Sequence, residues 1–149
     1  MQVIADANIW ISALIYPAGP PARVLQTLEE GRFDLVASTP LLSEPGTVLQ
    51  RPRLVHRFNV TSDKTLALLR VLRERAELVE ITGTIQLCRD PRDDMVVETA
   101  LVGQADALVS RDDDLKRAPE LIAVLSTRAV HVLTVRQFLE RLADPSRPA

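Results

Sequence analysis

Aromatic side chains are scarce: three phenylalanines, one tyrosine and one tryptophan make up 3% of the 149 residues. The core must therefore be aliphatic, and recognition by extensive base stacking is excluded. A single cysteine, Cys88, rules out an internal disulfide and suits a reducing compartment. Two histidines and that one cysteine are too few for a zinc site of the usual nitrogen and sulfur ligands. No apolar run has the length needed to cross a bilayer. The apolar N-terminus lacks a basic leader and contains Asp6, which argues against a signal peptide. These absences lead us to expect a soluble, cytoplasmic protein with no membrane association. An excess of positive charge is missing too, since the formal net charge is −2, so the global footprint of a nucleic-acid binder is not there. The basic residues are nevertheless unusual: of 18, all but Lys64 and Lys116 are arginines, which suit bidentate phosphate contacts.

What is present is an ordinary globular composition, 46% hydrophobic and 26% charged. A chain of this size fits one domain, here residues 1–143, followed by a proline-containing tail at 144–149 that should fray. Buried strands are expected at Val3–Asp6, Phe33–Ser38, Asp106–Ser110 and Val130–Leu133, with a short strand or extended connection at Glu77–Ile81. Helical patterns fall between them. One spans Pro21–Gly31 and ends on a glycine C-cap. Another, Thr61–Ala76, places Leu66, Leu69 and Leu72 on one face. A third, Asp90–Gln104, opens with an Asp-Pro cap, and a last one is capped by Thr134. Alternation of this kind predicts an α/β fold, a three-layer α/β/α sandwich around a mostly parallel sheet. Ligands of such sheets bind beyond the carboxyl ends of the strands.

Carboxylates collect at those ends. Asp6 follows the first strand, Asp112 the fourth, Glu44 lies in the helical run after the second, and Asp90, Asp93 and Asp94 crowd the start of one helix. Converging acids repel one another, an arrangement that makes sense around a hard dication such as Mg²⁺ or Mn²⁺. Each acid also has a bland role: Asp6 and Asp90 as helix caps, Asp94 as a partner of the helix dipole, Asp113 and Asp114 as solvated turn acids. Asp114 is a further candidate ligand, two residues beyond Asp112.

Taken together, several segments resemble the PIN-domain family, and within it the bacterial toxin-like branch. They are DAN at Asp6–Asn8, ISALIYPAGPPARVL, STPLLSEPGTVL with Glu44, CRDPRDDMVVETAL with Asp93, ADALVSRDDDL with Asp112, and VHVLTVRQFL. The resemblance covers nearly the whole chain, in order and in register. It implies a magnesium- or manganese-dependent ribonuclease with Asp6, Glu44, Asp93 and Asp112 as metal-binding and catalytic acids. Asn8, Ser110 and Asp90 would orient those acids or the scissile phosphate. It further implies an RNA substrate, a cognate antitoxin that inserts a segment into the acidic site, and a homodimer, with Leu66–Leu72 or the last helix as candidate seams.

The chain departs from the pattern at Pro45-Gly46, which should delay, bend or break the helix carrying Glu44, and at Asp94 and Met95, where relatives carry Asn and Lys. Two basic clusters could track an RNA backbone: Arg51, Arg53, His56 and Arg57, and Arg70, Arg73 and Arg75. Solvated helix faces explain both equally well. Two rivals stay open. One is a Mg²⁺-dependent phosphotransfer domain, for which neither Lys64 nor Lys116 is well placed. The other is a catalytically weak PIN scaffold that binds a partner, a reading the Pro45-Gly46 break keeps alive.

Overall fold

The computed structural model describes residues 1–144; the rest of the tail expected to fray, and the side chains of Asp112, Leu115 and Arg117, lie outside the described residues. Five strands, β1 (Gln2–Ala5), β2 (Asp34–Ala37), β3 (Ala76–Leu78), β4 (Ala107–Ser110) and β5 (His131–Thr134), form one sheet in the order β3-β2-β1-β4-β5. Every pairing is parallel. The connections are α1 (Ala7–Ile15) and α2 (Pro20–Glu29) after β1; α3 (Thr39–Leu49), α4 (Pro52–Phe58) and α5 (Ser62–Arg75) after β2; α6 (Pro91–Val102) after β3; and α7 (Asp112–Arg117) and α8 (Pro119–Thr127) after β4. Helix α9 (Val135–Ala143) closes the fold. Asp144, the first residue of the expected tail, is its C-cap and donates to the Glu140 carbonyl at 3.0 Å.

Period-two alternation assigns side chains to the two faces of the sheet. Val3, Leu35, Ala37, Ala107 and Val109 join the larger apolar cluster, with residues of α1, α2, α3, α5 and α9. Ile4 and Leu108 face the smaller cluster, built with Val97, Ala100, Leu121 and Leu125. The layers are therefore helix, parallel sheet, helix. On the second face α6 ends against β2 so closely that a Cβ on Gly103 would lie 2.1 Å from Val36 Cγ1. Glycine is thus spent at the C-cap, and the next residue, Gln104, takes the left-handed conformation at φ 52° that a glycine would ordinarily occupy.

Helix α3 departs from expectation. It runs unbroken from Thr39 to Leu49 with Pro45 inside it. The proline withdraws the N–H that the Leu41 carbonyl would accept, but Pro45 and Gly46 are both buried, and packing outweighs the lost bond. A Cβ at Gly46 would stand 3.0 Å from Leu69 Cδ1, so the glycine lets α5 approach α3. The buried face of α5 is Thr65, Leu68 and Leu72 rather than a Leu66–Leu72 stripe. Leu66 is 60% exposed and Leu72 is sealed in the core, so the two do not share one face. Among the described residues no helix is long and apolar enough to cross a membrane.

Candidate active site

The strand order reverses direction at β1, which has β2 on one side and β4 on the other. The β1–β4 junction is where an open parallel sheet leaves a crevice at its carboxyl edge. Asp6 emerges there. Its backbone N–H donates to the Val109 carbonyl of β4 at 3.0 Å. Its Oδ1 caps α1 by accepting from the Asn8 N–H at 3.2 Å, and its Oδ2 accepts from Ser110 Oγ at 3.1 Å. Asp6 is therefore both a helix cap and a wall of the site, and Asn8 and Ser110 fix its orientation.

A cavity of ≈ 360 Å³ opens at this junction, lined by Asp6, Asn8, Glu44, Asp90, Asp93, Ser110 and Asp114 together with Arg92, Leu41 and Val96. Glu44 arrives from α3, one helical turn beyond Leu41 on the same face. Asp93 arrives from the first turn of α6, whose N-cap is Asp90, with Pro91 at its start. The carboxyls of three acids are held above their ordinary range. Burial is the main cause for Asp6, with added repulsion from Asp114. Glu44 is raised by burial and then by Asp6, and Asp93 by burial and then by Asp90 and Asp6. Asp90 moves the other way, because it accepts the Arg92 backbone N–H at 2.9 Å and that residue's guanidinium at 3.2 Å. Its capping role is thus satisfied as well as its place in the wall.

Two arginines temper the negative charge, and neither was singled out in the sequence. Arg92 reaches Glu44 at 3.9 Å. Arg111, the first residue beyond β4, grips Asp114 through Nε at 2.9 Å and Nη2 at 3.3 Å, while its Nη1 donates to Ser12 Oγ at 3.1 Å. The signal for Arg111 was its position directly after a strand end, masked by the acids that follow it.

Asp112 opens α7, two residues past Ser110, and its side chain lies outside the described residues. Asp94 is turned away from the cavity. Its Oδ1 accepts from the backbone N–H groups of Leu87, at 2.9 Å, and Cys88, at 2.7 Å. One turn further on, buried Glu98 accepts from the N–H groups of Thr82 and Gly83. Together these two acids clamp the connection that precedes α6. Asp94 is therefore a brace for that loop as well as an acid in the first turn of α6, and its charge adds to the repulsion on Asp93. The second basic cluster is also structural in part, since Arg75 Nη2 donates to the Glu29 carbonyl at the end of α2, at 2.7 Å. Arg51, Arg53 and Arg57 line a separate cavity beside the acidic one.

The acidic cavity suits a divalent cation in chemistry: its donors are carboxylate oxygens that destabilise one another when charged. Among the described residues no group of three His, Cys, Asp or Glu side chains stands close enough to hold a metal ion. The wall is thus a converging set of acids in an open arrangement.

Comparison with known proteins bears on the fold. Residues 2–114 match the profile described as PIN domain. An uncharacterised protein of the archaeon Methanocaldococcus jannaschii is 25% identical over 142 residues, covering 94% of this chain and 90% of the relative. No solved structure matches.

Proposed function

The chain belongs to the PIN-domain family, whose members are generally metal-dependent nucleases, and from that membership we propose that it is a Mg²⁺- or Mn²⁺-dependent ribonuclease. The observation that carries the reading is the meeting of Asp6, Glu44 and Asp93 in one cavity from three separate elements, each carboxyl pushed up by burial and by its neighbours. Asp6, Glu44, Asp93 and Asp112 would hold the cation, with Asp114 as a further candidate. Bound there, it would acidify a water and neutralise charge on the phosphoryl oxygens. The residues of the chain do the positioning. Ser110 and the Asn8 backbone hold Asp6 in one rotamer. Arg92, at the mouth beside Glu44, offers a guanidinium to the phosphodiester. Glu44, made more basic by burial and then by Asp6, is suited to take a proton from the attacking water at its carboxylate.

The rivals are weaker on particular grounds. Neither Lys64 nor Lys116 lines the acidic cavity, which leaves a phosphotransfer domain without its phosphoryl-binding lysine. Helix α3 carries Glu44 into the cavity unbroken, so the basis for a weakened scaffold falls away. The reading extends to the toxin of a toxin–antitoxin pair, acting as a cytoplasmic homodimer; the resemblance of segments in register supports it. The test is cleavage of single-stranded and structured RNAs in Mn²⁺ or Mg²⁺ with EDTA as control, beside calorimetric titration of Mn²⁺. Asp6→Asn abolishes cleavage with the fold intact, and induced expression arrests growth unless a neighbouring small protein is co-expressed. Full activity of Asp6→Asn, or cleavage that survives EDTA, overturns the proposal.

A further inference from the structure

Beside the acidic cavity lies a second one of ≈ 430 Å³, whose walls include Tyr16, Arg51, Arg53, Arg57, Phe58 and Arg111. Asn8 belongs to both walls. The Arg111–Asp114 pair forms the partition, with Asp114 facing the acidic side and Arg111 the basic side. Two adjoining hollows of opposite charge thus share one rim.

The second hollow also gathers the two aromatic residues that are not fully buried, one of which, Phe58, packs against the edge of the larger apolar cluster. Trp10, Phe33 and Phe138 are at most 5% exposed and belong to the larger apolar cluster. The remaining two, Tyr16 and Phe58, meet here edge to face with centroids 5.5 Å apart. Arg57 lies over the Phe58 ring at 5.2 Å, so one face of that ring is taken. Tyr16, at the C-cap of α1, is 54% exposed and presents an open ring. Among the described residues, Arg51, Arg53 and Arg57 have no carboxylate within ion-pairing distance. Arg51 feels the charge of Glu44 at longer range, and an exposed aromatic ring beside guanidinium groups free of close ion pairs is the pairing that single-stranded nucleic acid recognises, base on ring and phosphate on arginine. The volume falls within the range of about 300–1,000 Å³ typical of ligand sites.

We infer that this second cavity seats the nucleotide neighbouring the cleaved bond of a single-stranded RNA, with its base on Tyr16 and its phosphates on Arg51, Arg53 and Arg57. The inference rests on the nuclease reading and adds to it the means of holding substrate. It accounts for the weak global charge, because the basic residues that matter are concentrated next to the acids and need not dominate the surface.

The test separates binding from chemistry. Fluorescence anisotropy with labelled oligoadenylate and oligouridylate, in EDTA so that nothing is cut, compares wild type with Tyr16→Ala, Tyr16→Phe and Arg53→Ala. Thermal melts confirm that each variant folds. Tyr16→Ala is expected to weaken oligoadenylate about tenfold, and Tyr16→Phe to restore most of it. Arg53→Ala is expected to lower the slope of log affinity against log salt by about 0.7. Unchanged affinity in both alanine variants overturns the inference. So does a polyglutamate peptide that binds as tightly as RNA and loses affinity in the same variants. In parallel, hydrolysis of bis(4-nitrophenyl) phosphate by the wild type with Mn²⁺ examines the acidic cavity alone. Tyr16-dependent RNA binding without that hydrolysis overturns the nuclease reading and leaves the seat supported; hydrolysis without Tyr16-dependent binding does the reverse.

Discussion

Replacing Gly103 with alanine examines how the fold sets the position of Asp93. A Cβ there would lie 2.1 Å from Val36 Cγ1 and 3.0 Å from the Thr99 carbonyl oxygen. Both neighbours are constrained. Val36 is fully buried in β2 and stiff about χ1, and the carbonyl belongs to the backbone of α6 itself. Relief requires α6 to move off the sheet, and overpacking of this kind costs about 2–3 kcal/mol. For a chain of this length that is about 6–10 °C in melting temperature. Val36→Ala alone opens a void and costs on the order of 2 kcal/mol. In the double variant the new methyl occupies the space that Cγ1 leaves, with Val36 Cβ 3.3 Å away, so the combined loss falls short of the sum by at least about 1.5 kcal/mol. Urea unfolding followed by far-UV circular dichroism gives all four stabilities. On the proposed nuclease reading, cleavage measured alongside should fall in Gly103→Ala, because α6 carries Asp93 at its other end, and recover in the double variant. Additivity within about 0.5 kcal/mol would refute the reasoning: the glycine would then owe nothing to its contact with Val36.

Further outcomes follow from the site and the caps. Asp6 binds its proton more tightly in the folded chain than in the unfolded one, so its charge opposes folding above its raised pKa, and the penalty disappears as pH falls through that value towards 3.8. Asp6→Asn should therefore stabilise the protein at pH 7 by on the order of 0.5–2 kcal/mol, with the gain shrinking in acid; thermal melts from pH 7 to pH 4 that show a constant or growing gain contradict this. Burial, followed by the charge of Asp94, pushes the Cys88 thiol up to about 11. Alkylation by iodoacetamide at pH 7.5 should accordingly be far slower than that of a free thiol, and Asp94→Asn, which removes a charge and loosens the loop, should speed it. Ala129 holds φ 60° after α8, a conformation that costs an L-residue about 1–2 kcal/mol. Ala129→Gly is expected to raise stability by about 0.5–1 kcal/mol in the same urea assay, and a loss would show that its methyl group packs usefully.

Much of the fold could be read from the sequence because its signals are local. The apolar runs at Val3, Leu35, Ala107 and Val132 mark strands, and Asp90-Pro91 and Thr134 mark helix starts within a residue or so. The starts of α4 and α8, at Pro52 and Pro119, were missed: each is a short helix whose apolar side is brief, and proline there reads as readily as a turn. The phase of α5 was misjudged because Leu66, Leu68, Leu69 and Leu72 allow two overlapping stripes, and only packing against α3 chooses between them. Of the site, the placement of Asp6, Glu44 and Asp93 around one cavity followed from parallel strands and from the resemblance. The braces formed by Asp94 and Glu98 could not be anticipated. Their partners are bare N–H groups in an irregular connection, and nothing in the identity of Leu87, Cys88, Thr82 or Gly83 announces a bond. The continuity of α3 was hidden for a related reason, since the penalty of Pro45 is visible in sequence whereas the compensating contact with α5 is not.

The bond from Ser110 to Asp6 links residues 104 positions apart. A growing polypeptide that has emerged only as far as β3 already owns Asp6 and Glu44, yet it has no hydroxyl to steady the first acid and no fourth strand to wall the crevice. Parallel pairings over such separations form late and slowly. The acidic crevice thus stays unfinished in any form of the chain that lacks β4, and its two central walls meet only when that strand joins the sheet.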